Sequence, residues 1–264
     1  MLKLFLKRQL TKLKWSSLYN HLSKDVRSKI LLRTKYFDRI GPIDLPLGIG
    51  NEELISQFII FYFGFYESKQ NYFLLTRNTE LSFDNPLVRI SSNCIWAFTF
   101  DSKRCDCNWE FEFSKNQLSQ LNSNDGLIIF AEGHHGKSIE GGIRGHSVIY
   151  AAGQSQKEDL VNGAYVTNGF KTEYRSYDDI IKILNFLKIS KLKLLTNNPE
   201  RVSVLTENGF EVERVSIEKP YTPYDSEELG VKKIILNHNL ALEKFQEDDI
   251  KLYGLDSIKV FKPK

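Results

Sequence analysis

The sequence predicts an α/β (α+β) protein, a mixed β-sheet with flanking helices, whose first half is rich in strands. Two observations carry that expectation. Apolar and aromatic runs of strand length, bounded by turn residues, occupy residues 55–100. From residue 127 onward, strand-like and helix-like segments alternate. The composition agrees: 41% hydrophobic and 26% charged residues are ordinary for a globular chain, and 264 residues suffice for a sizeable core.

Residues 1–40 form a basic amino-terminal extension. They hold eleven Lys and Arg but only two acids, Asp25 and Asp38. Leu2, Leu6, Leu10 and Leu13 fall at helical spacing. Three readings fit: an organellar presequence, an arm for nucleic acid or another acidic surface, or a basic helix packed on the domain with solvated lysines. Lysine outweighs arginine, which weakens the presequence reading, and a cytoplasmic location is expected. Nucleic acid is a weaker partner because no basic patch is interleaved with aromatics. The formal net charge of +3 favours no particular partner.

Gly41-Pro42 and Pro46 break the pattern and open the main domain, 41–264. Residues 55–66 and 70–76 read as paired strands turned by Glu67-Ser-Lys-Gln. The aromatic run Phe58–Tyr66 is too short to cross a membrane and is expected to be a buried strand. Leu87–Ile90 and Ile95–Phe100 continue the strands, and 111–122 fits a helix. Leu127–Phe130 is a short buried strand. Residues 178–188 place Ile180, Ile181, Leu184 and Leu187 on one helical face. A strand at Leu192–Leu195, a helix at 199–208 closed by Gly209, and a strand at Phe210–Val215 complete the series.

The chemistry centres on residues 89–113. All three cysteines, Cys94, Cys105 and Cys107, lie within fourteen positions. An odd number argues against a disulfide framework and suits a reducing compartment. A strand over 95–100 would carry the chain away from Cys94 and return it at Cys105. Three thiolates on zinc leave a fourth position for water, the arrangement of a catalytic rather than a closed structural site. The alternative is a set of ordinary buried or free thiols.

Two further stretches suit anions. Glu132-Gly-His-His-Gly-Lys-Ser138 follows a strand but is not a Walker A loop, which needs four residues between its first glycine and Gly-Lys. Its backbone N–H groups and Lys137 could still hold an anion, or form a solvated turn. In Thr196-Asn-Asn-Pro199 a strand ends, polar residues cap, and proline opens a helix whose N-terminus offers free N–H groups. A plain capped helix would give the same pattern.

These residues carry a family resemblance. Arg89-Ile-Ser-Ser-Asn-Cys94, followed by Arg104-Cys-Asp-Cys107, resembles the zinc motif of GTP cyclohydrolase II. Gly136-Lys-Ser-Ile139, Ile143-Arg144, Gly169-Phe170, Arg175, Thr196-Asn-Asn-Pro199 and Leu205-Thr-Glu-Asn-Gly209 follow in family order, and the likeness covers about residues 40–220. It implies the GTP cyclohydrolase II fold. Cys94, Cys105 and Cys107 are implied as zinc ligands, with Mg2+ on a bound purine nucleoside triphosphate, GTP first. It implies hydrolytic opening of the imidazole ring at C8, with formate and pyrophosphate released and a diaminopyrimidine ribonucleotide left for riboflavin synthesis. Arg175, supported by Glu173, is implied at the α-phosphate, and His146 stands where the family has a tyrosine. Arg89, Glu110, His135, Gly136, Lys137, Thr196 and Arg201 are implied in nucleotide binding. A homodimer is the family's habit. The sequence departs from the pattern in the substrate shell: Glu110 replaces a glutamine, Arg201 a lysine, Glu173 an aspartate, and Ser91 and Asn93 a histidine and a glutamate. These departures suit an altered purine nucleotide, or a catalytically weak binding or regulatory relative.

Overall fold

The computed structural model describes residues 23–49, 54–133, 143–144, 147, 177–219, 222, 224–234 and 237–240. Within them the sheet has eight strands: β1 (Leu31–Arg33), β2 (Phe37–Ile49), β3 (Leu54–Phe65), β4 (Asn71–Thr76), β5 (Leu87–Ser92), β6 (Gly126–Ala131), β7 (Lys191–Leu195) and β8 (Glu211–Val215). Their order is β1-β2-β3-β4-β6-β5-β7-β8. The pairs from β1 through β4 to β6 are antiparallel, and those joining β6, β5, β7 and β8 are parallel. The helices are α1 (Lys24–Ile30), α2 (Ile95–Phe100), α3 (Cys107–Gln120), α4 (Tyr177–Phe186), α5 (Pro199–Glu207) and α6 (Ser226–Ile234). The mixed α/β sheet expected from the sequence is present.

Alternation along the strands builds two cores. In β6, Leu127, Ile129 and Ala131 face one layer, where α4 contributes Ile180, Ile183 and Leu184 and α5 contributes Leu205. Ile128 faces the other, with Phe130 packed beside it, against Leu118 and Phe111 of α3. Both faces of the central strands are therefore covered, as parallel strands require. Phe61, Phe63, Tyr72 and Leu74 extend the first core under the hairpin strands.

Strand β2 runs straight through Gly41-Pro42. The pairing moves from Ile40↔Tyr62 to Ile43↔Ile60, so β2 carries one extra residue, a bulge. Gly41 sits there at φ +131, and a Cβ would lie 2.7 Å from the Ile60 carbonyl oxygen. Only glycine fits. Before the bulge Phe37 belongs to the first core, and after it Leu47 and Ile49 belong to the second.

Of the basic extension, residues 23–40 fall largely within described structure. Ser23 caps α1 by accepting from the Val26 N–H at 3.3 Å, and none of the helix residues is buried. Leu2, Leu6, Leu10 and Leu13 lie outside the described residues. No helix among the described residues is long and apolar enough to cross a membrane.

Candidate metal centre

The sheet places the site. Strand β5 is hydrogen-bonded to β6 on one side and β7 on the other. The chain leaves β5 for β6 and returns past it to β7, so β5 is where the winding direction changes. Crevices outside the carboxyl ends of strands at such a point are the usual ligand position in open α/β sheets. The Asn93 N–H, just past β5, donates to the Ala131 carbonyl at 3.0 Å. Cys94 follows at once, in extended conformation, as the residue before α2.

One expectation is corrected here. Residues 95–100 form helix α2, not a strand. Their β-branched and aromatic character suits either element, but β5 is already paired on both edges, so a strand over 95–100 could not pair beside it. The helix instead sets Trp96 beside Phe100, the rings tilted with centroids 5.7 Å apart, and Phe98 against Phe111 and Phe130 at 5.4 and 5.6 Å. Asp101 ends it in the left-handed region at φ 49. A tight return then delivers Cys105, Asp106 and Cys107, the last being the first residue of α3. The chain still goes out and back, over a shorter span than a strand would need.

The three sulfur atoms converge. All lie within 4.8 Å of one another, and Cys94 Sγ and Cys105 Sγ are 3.9 Å apart. Thiolates at ~2.3 Å on one tetrahedral zinc sit about 3.8 Å apart, so the set fits that ion. Their thiols all lie above the ordinary range. For Cys94 the hydrogen bond with Cys105 lowers, but the one with Cys107 and burial raise and prevail. For Cys105 the bond with Cys107 lowers, while Cys94 and burial raise. For Cys107 the bond with Cys105 raises, with burial adding to it. Three thiolates this close need a cation to be stable together, and a divalent metal supplies one.

Charged groups surround the sulfurs. Asp106 accepts from Lys232 of α6 at 2.5 Å, and Lys232 also pairs with Glu228 at 2.9 Å. Burial pushes the Asp106 carboxyl up, but Lys232 and Arg89 prevail and hold it below its usual value. Burial raises Glu228 to about 7, with Lys232 opposing. Burial also raises Glu110 against the pull of Arg89. Arg89 pairs with Glu110 and donates to the Leu195 carbonyl at 2.9 Å, tying β5 to both α3 and β7. Sequence reading missed Lys232, Glu228 and His238. Its only clue was Asp106, a carboxylate between two cysteines that needs a cation when buried.

The second motif closes beside the first. Thr196 and Asn197 are buried. Thr196 Oγ1 accepts from the Asn198 N–H at 3.1 Å, and Asn198 Oδ1 accepts from the Glu200 N–H at 2.8 Å. Pro199 takes the first helical position, as its sequence implied. Arg201 of α5 donates to the Ile90 carbonyl at 2.8 Å, which ties this helix to β5. Thus Arg89, Glu110, Thr196 and Arg201 stand in one region with the cysteines. Glu132 and Gly133 are described, whereas His135, Gly136, Lys137, His146, Glu173 and Arg175 lie outside the described residues.

A doubly covered sheet with three converging cysteines at its switch strand defines an α/β protein whose described residues include a cysteine triad that could hold a metal ion. The GTP cyclohydrolase II family model matches residues 52–216, and the chain belongs to that family. Riboflavin biosynthesis protein RibBA of Cytophaga hutchinsonii is 30% identical over 199 residues, covering 75% of this chain and 46% of that protein. The chain thus spans less than half the length of that relative. GTP cyclohydrolase-2 of Helicobacter hepaticus is 34% identical over 157 residues, 60% of this chain and 77% of its own. GTP cyclohydrolase-2 of Aliivibrio fischeri is 26% identical over 203 residues, 76% of this chain and 96% of its own.

Proposed function

We propose that this protein is a zinc-dependent hydrolase that opens the imidazole ring of GTP, or of a related purine nucleotide, at C8. Hydrolysis there breaks both C8–N bonds and frees C8 as formate. Hydrolysis between the α- and β-phosphates frees pyrophosphate and leaves a diaminopyrimidine ribonucleotide. The observation that carries the reading is the convergence of Cys94, Cys105 and Cys107 within 4.8 Å in a chain of this family. Zinc held by these sulfurs supplies Lewis acidity and an activated water.

The chain's own residues would then bind and orient the substrate. The Thr196–Pro199 turn presents a capped helix start suited to an anion. Arg89 and Arg201 bring positive charge to the same region, and Glu110 offers an acceptor where the family has an amide. Arg175 and Glu173 are proposed at the α-phosphate, His146 as a proton carrier, and His135, Gly136 and Lys137 along the nucleotide. Mg2+ would accompany the triphosphate. A homodimer in the cytoplasm completes the proposal.

The test uses purified full-length protein with its zinc quantified, incubated with GTP and Mg2+ while formate, pyrophosphate and the ultraviolet spectrum are followed. About one zinc per chain and equimolar formate and pyrophosphate are expected. Cys105→Ser should lose both metal and turnover. Zinc-loaded, folded protein that releases neither product from GTP or any other purine nucleoside triphosphate would sink the reading.

A further inference from the structure

Helix α6 lies beyond residues 52–216, the span matched by the family model, yet it reaches the metal centre. We propose that Lys232 is a positioning residue for that centre. By pairing with Asp106 it fixes the Cys105-Asp106-Cys107 turn so that both sulfurs face Cys94. The inference rests on the zinc reading given above.

Asp106 occupies the N-cap position of α3, where a carboxylate ordinarily accepts from the first free N–H groups. Its side chain makes no such bond, and its backbone is already helical at φ −91, ψ −2. The carboxylate turns instead to Lys232, at a sequence separation of 126 residues. Both side chains are largely buried, 17% exposed for Lys232 and 9% for Asp106. A carboxylate withdrawn from water beside three sulfurs needs a partner cation. Without one, the turn would swing Asp106 outward and carry the cysteines on either side with it.

Helix α6 starts from a buried local turn and is tied to the sheet side beyond its carboxyl end, so the lysine arrives at a fixed point. Asp225 precedes the helix and is buried; its Oδ1 accepts from the Thr222 N–H and hydroxyl at 2.6 and 2.9 Å. Glu228, one turn before Lys232, steadies the ammonium at 2.9 Å. Beyond the helix, the His238 N–H donates to the Lys232 carbonyl at 2.9 Å, and the Asn239 N–H donates to the Asn197 carbonyl at 2.8 Å. The carboxyl-terminal segment thereby straps the cysteine turn to the Thr196–Pro199 turn.

Full-length wild type, Lys232→Met, Lys232→Arg, Asp106→Asn and the Lys232→Met/Asp106→Asn double variant are compared. Zinc affinity is read by competition with a chromophoric chelator, and folding by circular dichroism of the metal-free proteins. Groups that orient metal ligands typically change affinity by about 10–100-fold when removed, and Lys232→Met and Asp106→Asn should each fall in that range. Lys232→Arg keeps the charge and should recover most of the loss. The double variant should be no weaker than the worse single one. A folded Lys232→Met protein with wild-type zinc affinity overturns the proposal. Should that variant not fold, unchanged affinity in Asp106→Asn overturns it equally. A wild type that binds no zinc defeats the zinc reading itself, a result distinct from either.

Discussion

The antiparallel strands β1 to β4 and the parallel strands β5 to β8 share one sheet but organise their ends in opposite ways. In the hairpin half β1, β2 and β3 are each followed in the chain by the strand beside them in the sheet, so successive strand ends alternate between the two sides of the sheet. In the parallel half every strand ends at the same edge. Cys94 after β5, Glu132 after β6 and Thr196 after β7 are therefore neighbours in space although far apart in the chain. Helices must carry the chain back each time, and α3, which starts at Cys107, is one of them. The contrast teaches that the chemical candidates follow strand direction. Among the described residues, buried aromatic rings sit mainly in the hairpin half and polar convergence in the other.

Three perturbations bear on this contrast. The largest effect is expected from Phe61→Ala in the hairpin half, where the ring is fully buried. Truncation should cost about 3–5 kcal/mol in denaturant unfolding. The zinc affinity of the remaining folded protein should be unchanged, and a parallel fall in affinity would break the separation between halves.

The next effect is pH-dependent. Burial lowers His238 from 6.5 to about 4, and Lys232, Arg201 and Arg89 reinforce this while Asp106 opposes it. The unfolded chain takes up this proton as pH falls through 6.5, and the native chain does so only near 4. Stability from this group is thus complete above 6.5 and is lost as pH falls toward 4. Urea unfolding of metal-free protein at either end of that window should differ by on the order of 2 kcal/mol less in His238→Gln than in wild type. Equal differences in both proteins would place His238 in water.

The smallest effect belongs to the Thr196–Pro199 turn. Asn198→Ala removes the cap of α5 and should cost about 1 kcal/mol. A much larger cost would mean that the turn supports the sheet as well as the helix.

Legibility in the sequence followed the range of the interactions. The hairpin of β3 and β4, the buried strand β6 and the amphipathic helix α4 are set by local periodicity and were readable. The cysteines were readable because their spacing is short. Ile95–Phe100 was misread because its composition serves both elements and only the paired edges of β5 decide between them. Lys232 was invisible: the chain offers many lysines, and only the folded position of α6 singles out one as the partner of Asp106. Arg89 was legible as a site residue, but its bond to the Leu195 carbonyl was not.

The extra residue at Gly41-Pro42 makes β2 behave like a line of text with one inserted letter. Odd-numbered side chains speak to one layer before it and to the opposite layer after it, so a single strand serves both cores without changing its alternation. Loss of one residue between Ile40 and Ile43 would therefore act as a phase error: Leu47 and Ile49 would be turned toward the wrong layer, although every apolar residue of the strand remained.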